Sequence, residues 1–262
     1  PELLSRSDTA PGYAALGAQR SLTLEHLSYA LGQTLSAGQR RTVARGVFMH
    51  LGRNAMEWLQ LPKLSLNKGQ QFGVGEGIEH VREALAKGRG AIMVTGHIGN
   101  WEILSLYLLG YLGFAGGVLA RPLRYPEYES WLIGLRARSG IPTIPRGSTN
   151  EVVRRLRANE LIGMLPDQDI SSMDGVFVEF FGHPAYTPVG PAALSLMTGA
   201  PIVPCFAIRE SNRFRVIVES PLDVPATGDR PQALKQLTQA WSDVIESTIR
   251  RYPDQWVWMH RR

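Results

Sequence analysis

The chain is most informative first in what it lacks. Cys205 is its only cysteine, so no disulfide can form within the chain and no cysteine cluster can hold a metal. Charged residues make up only 19% of the sequence, while 44% is hydrophobic. That balance excludes wholesale disorder and allows a sizeable core in 262 residues. No Gly-x-Ser-x-Gly turn is present, which argues against a serine hydrolase of the nucleophile-elbow type. The chain begins at Pro1 without a signal-peptide pattern. One long uncharged run exists, Ile103 to Ala120, but Gly110, Gly113, Gly116 and Gly117 interrupt it. It reads as a buried helix followed by a buried strand rather than as a membrane span.

What is present is a modest excess of positive charge, +5 at neutral pH. This suits an anionic partner such as lipid head groups, phosphorylated glycolipids or an acidic carrier protein. The alternative is that the excess is a simple aid to solubility. The arginines follow no nucleic-acid-binding motif, and no nucleic acid is expected as a partner.

Residues 22–61 show helical spacing. Apolar runs of strand type follow at 91–95, 117–120, 161–165, 176–181, 202–208 and 214–219, and helical patterns separate most of them. The last two runs are expected to pair. Thr187 and Pro188 read as the start of a helix. Alternation of this kind predicts an α/β fold, a mostly parallel central sheet flanked by helices. We expect a single domain over 1–262, with a helical N-terminal layer at about 22–61 and a catalytic α/β part at about 75–262.

The sharpest local feature is Thr95-Gly96-His97-Ile98-Gly99-Asn100-Trp101-Glu102, directly after one apolar strand and at the start of a helix. Ligands in open α/β sheets bind at the carboxyl ends of strands. Residues five apart on one helix point about 140° away from each other. The two glycines are expected to turn the chain so that Glu102 reaches back to His97 Nδ1. His97 would then act as general base through Nε2. Backbone N–H groups at the helix start are expected to receive a developing oxyanion. The bland alternative is that His97 and Asn100 merely cap the helix.

Gly-His-x-Gly-Asn-Trp-Glu resembles the signature of the lipid A late acyltransferases, a family that includes the phosphatidylinositol mannoside acyltransferases. Further blocks follow in family order: Arg121-Pro122, Leu165-Pro166-Asp167-Gln168-Asp169, Phe180-Phe181-Gly182, Gly199-Ala200-Pro201, and Pro253-Asp254-Gln255-Trp256-Val257-Trp258. The likeness covers roughly residues 40 to 262. It implies the glycerolipid-acyltransferase type of fold and a His-x4-acid dyad, here His97 and Glu102. It also implies acyl carrier protein or coenzyme A thioester as donor, and no metal or redox cofactor. The acceptor would be a hydroxyl on an anionic glycolipid, a lipid A precursor in the first reading and a phosphatidylinositol mannoside in the second. The place of action would be the membrane surface, at the cytoplasmic face of the bacterial inner membrane. Relatives usually begin with a membrane-spanning helix. None is visible here, so this member either binds peripherally or is anchored by a segment absent from this chain.

Other residues carry two readings each. Arg121 either holds a phosphate or the donor's phosphopantetheine, or packs on Tyr125 as a surface residue. Arg124 and Arg146 join it as candidates for the acceptor's charged groups, though Arg124 departs from the smaller polar residue common in relatives. Asp167 and Asp169 either bind acceptor hydroxyls or orient Arg121, or else cap a turn. Asn100 is a further candidate for substrate binding. The helix over Ile103 to Leu112 is expected to line part of an acyl groove. A thioester or lipid hydrolase and a non-catalytic anionic-lipid-binding module are the rival functions.

Overall fold

The computed structural model describes residues 13, 16–66, 72–122, 125–168, 173–222 and 229–260. Two helices open it, α1 (Gly17–Leu31) and α2 (Ala37–Leu59). Their break falls before Ser36, whose hydroxyl accepts from the Gln39 backbone N–H while the Gln39 side chain accepts from the Ser36 N–H. This reciprocal cap explains why the helical pattern over 22–61 is two helices and not one. The short α3 (Leu61–Leu66) follows.

The remaining elements alternate: β1 (Phe72–Glu76), α4 (Ile78–Ala86), β2 (Ala91–Val94), α5 (Trp101–Ser105), a π-helical turn (Leu106–Tyr111) and β3 (Gly116–Ala120). Next come α6 (Pro126–Arg138), β4 (Thr143–Pro145), α7 (Thr149–Arg157), β5 (Leu161–Met164), β6 (Gly175–Phe180), β7 (His183–Pro188) and α8 (Gly190–Thr198). The series closes with β8 (Ile202–Glu210), β9 (Arg213–Val218), α9 (Arg230–Arg251) and a 3₁₀ turn (Pro253–Gln255).

Seven strands form one sheet in the order β1-β9-β8-β2-β5-β3-β4. Every neighbouring pair in it is parallel except β8–β9, which is antiparallel as their closeness in sequence suggests. The predicted α/β class, with a mostly parallel sheet, is therefore the observed one. Strand β2 shows why it stands at the centre. All four of its residues are buried, Ile92 and Val94 in the core on one face, Ala91 and Met93 in the core on the other. Strands buried on both faces read as continuous apolar runs, as this one does.

Two expectations change. Thr187 and Pro188 do not begin a helix but end β7, which pairs antiparallel with β6 in a separate two-stranded ribbon. The helix starts at Gly190, with Pro191 in its first turn. The helix expected from Asn100 runs as α-helix only to Ser105 and then widens into the π turn.

Candidate active site

Strands β2 and β5 are parallel neighbours in register, with Val94 opposite Met164. His97 and Asp167 each lie three residues beyond that pair, so the two chains carry them side by side past the carboxyl edge of the sheet. The His97 ring donates from Nδ1 to Asp167 Oδ1 at 2.7 Å, and the His97 backbone N–H donates to Oδ2 at 2.7 Å. Trp256 adds a third donor, its indole N–H lying 2.9 Å from the same Oδ2. Two glycines make the approach possible. A Cβ on Gly96 would stand 3.0 Å from Asp167 Oδ2. Gly99 has φ +59°, and a Cβ there would meet the Ala207 carbonyl at 2.0 Å.

Asp167 is 1% exposed. Burial pushes its carboxyl pKa upward, but the charge of His97 and the hydrogen bonds from His97 and Trp256 outweigh this. The result is a value lowered to about 2. An ionised Asp167 that accepts from Nδ1 fixes the neutral ring as the Nδ1–H tautomer. Nε2 is then the nitrogen with a free lone pair for the cleft. Trp101 meets the His97 ring edge-on, with centroids 5.0 Å apart, and helps hold its plane.

This corrects the expected pairing. Glu102 does not reach His97. It sits in the first turn of α5, and Arg136 of α6 binds both of its oxygens, Nε to Oε2 at 2.9 Å and Nη2 to Oε1 at 2.5 Å. Both side chains are nearly buried. The reason is direction: His97 leaves β2 in a loop tied to β5, whereas α5 begins only at Trp101 and turns Glu102 toward α6.

His97, Glu102 and Arg136 line one cleft of about 520 Å³. Arg121 and Arg146 line it too, with Leu132, Met164 and Pro166 supplying apolar wall. Two of the arginines proposed from sequence are thus brought to the cleft. Arg124 and Asp169 lie outside the described residues. Asp167 lies beneath His97 rather than in the cleft wall, placed to hold the His97 ring.

Asn100, expected as a substrate-binding residue, does not line the cleft. It is fully buried and caps α5, its Oδ1 accepting from the Glu102 and Ile103 backbone N–H groups at 3.2 Å each, while its amide donates to Glu57 at 2.7 Å. The expected backbone oxyanion site is also altered. The N–H groups of His97, Gly99, Asn100, Glu102 and Ile103 all donate within the protein already. Of the helix expected to line an acyl groove, Ser105 reaches the cleft, while Ile103, Leu104, Leu106, Leu108 and Leu109 are packed in the core.

Beneath the loop lies a polar support that sequence reasoning missed. The Gly99 carbonyl accepts from His50 Nε2 and Asn54 Nδ2, each at 2.8 Å. Arg209 forks onto Glu57 with two bonds of 2.6 Å. Burial lowers the His50 pKa to about 4, so His50 is neutral here at pH 7. Arg136 and Trp256, the partners of Glu102 and Asp167, carried no sequence signal of those roles.

Comparison with known proteins gives this geometry its context. Residues 11–262 match the family described as bacterial lipid A biosynthesis acyltransferase. The chain belongs to that family. Among its relatives, a phosphatidylinositol mannoside acyltransferase of Mycobacterium tuberculosis (strain CDC 1551 / Oshkosh) is 31% identical over 212 residues, covering 78% of this chain and 65% of the relative. The lipid A biosynthesis lauroyltransferase of Escherichia coli (strain K12) is 30% identical over 190 residues, 71% of this chain and 60% of the relative. The lipid A biosynthesis palmitoleoyltransferase of the same strain is 26% identical over 253 residues, 93% and 78% respectively. The chain thus spans about two thirds of the length of the first of these.

Proposed function

We propose that this protein transfers a fatty acyl group from a thioester to a hydroxyl of a phosphorylated glycolipid. The observation that carries the reading is the His97–Asp167 dyad at the wall of a cleft that also presents Arg121 and Arg146. His97 Nε2 removes the proton of the acceptor hydroxyl as its oxygen attacks the thioester carbonyl. Asp167 holds the ring and stabilises the imidazolium that results. The tetrahedral intermediate then expels the thiolate, forming the ester C–O bond and breaking the C–S bond. The proton held on Nε2 passes to the departing sulfur, which restores the neutral ring.

The donor in this reading is an acyl carrier protein or coenzyme A thioester. The acceptor is a lipid A precursor, whose phosphates suit two arginines better than the single phosphodiester of a phosphatidylinositol mannoside. The mannoside remains the second reading, favoured by the relatives' names at similar identity. We place the reaction at the cytoplasmic face of the bacterial inner membrane. No described helix is long and apolar enough to cross a bilayer.

Incubation with a labelled acyl thioester and each acceptor tests this. Label moving into the lipid A precursor is the expected result. Preference for the mannoside would transfer the protein to the second reading, and release of free fatty acid alone would make it a hydrolase.

A further inference from the structure

A second cavity, of about 310 Å³, shares no lining residue with the catalytic cleft. Its size falls within the range of small-molecule sites. Helix α1 forms one side with His26, Tyr29 and Ala30, and the β6–β7 turn and the segment after the 3₁₀ turn supply the rest. The lining is graded from apolar to polar. Phe180, Phe181, Trp256 and Trp258 are buried. The Pro253 carbonyl takes the Trp258 indole N–H and Asp167 takes that of Trp256, so this inner end offers a ligand no polar side-chain group. Toward the mouth, His26 and His183 are half-buried and Tyr29 is exposed, its ring 4.1 Å from that of His183. His26 donates from Nδ1 to the Trp258 carbonyl at 2.6 Å, which leaves Nε2 for a ligand. Among the described residues no Asp, Glu, Lys or Arg lines the cavity.

An apolar inner end below two imidazoles suits an aliphatic carboxylic acid. The chain packs among the rings, out of water. The carboxyl group meets His26 Nε2, whichever of the two holds the shared proton, and no carboxylate in the lining repels it. The inner wall is also a support of the dyad. Trp256 donates to Asp167 Oδ2, and it pairs with Ile98 in an antiparallel bridge. The next residue, Val257, donates its backbone N–H to the His97 carbonyl at 3.1 Å. A chain pressed against the Trp256 ring therefore bears on a bond that holds Asp167 beneath His97.

We propose that this second cavity binds a free fatty acid, and that the bound acid slows acyl transfer by loosening the bond from Trp256 to Asp167. The proposal rests on the acyl-transfer reading above, which supplies the ligand. When water attacks the thioester carbonyl in place of the acceptor hydroxyl, the C–S bond breaks and a fatty acid and a thiol are released. A site that senses this acid slows the enzyme when acyl groups are being lost to water.

The experiment titrates the full chain with sodium decanoate by calorimetry, below the concentration at which decanoate forms micelles. Saturable binding at a single site is the expected result. Ala30→Trp places an indole in the cavity, and its affinity should fall about tenfold or more, since losing the burial of even two methylenes has that effect. His26→Gln keeps a donor for the Trp258 carbonyl but has no second ring nitrogen, and it should also bind more weakly. It carries the test if Ala30→Trp does not fold. The flat aromatic acid 1-naphthoate should bind less tightly than decanoate. In transfer assays decanoate should lower kcat without changing KM for the thioester. Trp256→Phe already lacks the bond to Asp167, so decanoate should bind it and leave its kcat unchanged. Absence of binding, equal binding by both cavity variants, or tighter binding of 1-naphthoate overturns the proposal. So does a rise in KM with kcat unchanged, which would put the acid in the cleft, or equal inhibition of Trp256→Phe, which would break the link to the dyad. Calorimetric binding needs no turnover, so failure of the transfer reading would leave the binding result standing.

Discussion

Trp256 donates its indole N–H to Asp167, the carboxylate that holds the His97 ring. The two residues are far apart in sequence, and nothing in either local pattern joins them. The bond is to an ionised, buried acceptor, where hydrogen bonds are strongest. Trp256→Phe keeps the ring and removes only that donor. We expect kcat to fall by roughly tenfold, with KM and thermal stability little changed, if a bond of this kind is worth about 1.5 kcal/mol or more. A variant that loses stability but keeps kcat would show that Trp256 only packs.

The identity of the base's partner is decided by comparing two acids. Asp167→Asn removes the carboxylate that sets the tautomer, and kcat should drop on the order of 10²–10⁴-fold with the fold retained. His97→Ala should abolish transfer. Steady-state rates beside circular dichroism spectra give the answer, and normal transfer by folded His97→Ala protein would end the mechanism.

Glu102→Gln should behave differently. It leaves the Arg136 guanidinium buried without its counter-charge, and stability should fall by about 3–5 kcal/mol. Adding Arg136→Met should recover much of that loss, since the lone charge is then gone. Denaturant unfolding of the single and double variants checks this. A Glu102→Gln protein of normal stability with no activity would return Glu102 to the role of His97's partner.

Acid should loosen the fold through His50. Its pKa is lowered from 6.5 to about 4 by burial, so the unfolded chain takes up a proton that the folded one refuses. The sign follows: stability from this group is complete above pH 6.5 and declines as pH falls toward 4, by about 3 kcal/mol in all. His260, whose pKa is also lowered by burial and by His97, adds to the same decline. Asp167 acts in a lower window, losing its contribution only as pH falls from about 4 toward 2. His50→Gln keeps a donor for the Gly99 carbonyl without a titratable ring. Melting temperatures of the two proteins from pH 8 to 4 should converge as the pH falls, and parallel curves would remove His50 from the account.

The cleft arginines should act on binding. Arg121→Ala and Arg146→Ala should each raise the KM for a phosphorylated acceptor, about tenfold for a lost charge-assisted bond. A dephosphorylated acceptor should be used equally by all three proteins. Unchanged KM in both variants would mean that the acceptor's phosphates lie elsewhere.

Much was fixed by local pattern. The apolar quartets Ala91–Val94 and Leu161–Met164 announce strands buried on both faces, and the helices between them require a largely parallel sheet. Gly96, His97 and Gly99 mark a tight turn at a strand's carboxyl end, which is why His97 was legible as the candidate base. Arg121 was legible as a cleft residue because it follows a strand end; the strand before Arg146 was not foreseen. Strand order was not legible. Only the tertiary structure puts β5 beside β2, and with it Asp167 beside His97; only the packing of α6 on α5 gives Glu102 to Arg136. Chain-local spacing speaks of neighbours within about one helical turn. It cannot say which of two nearby acids a histidine will meet across a sheet, and register decided that.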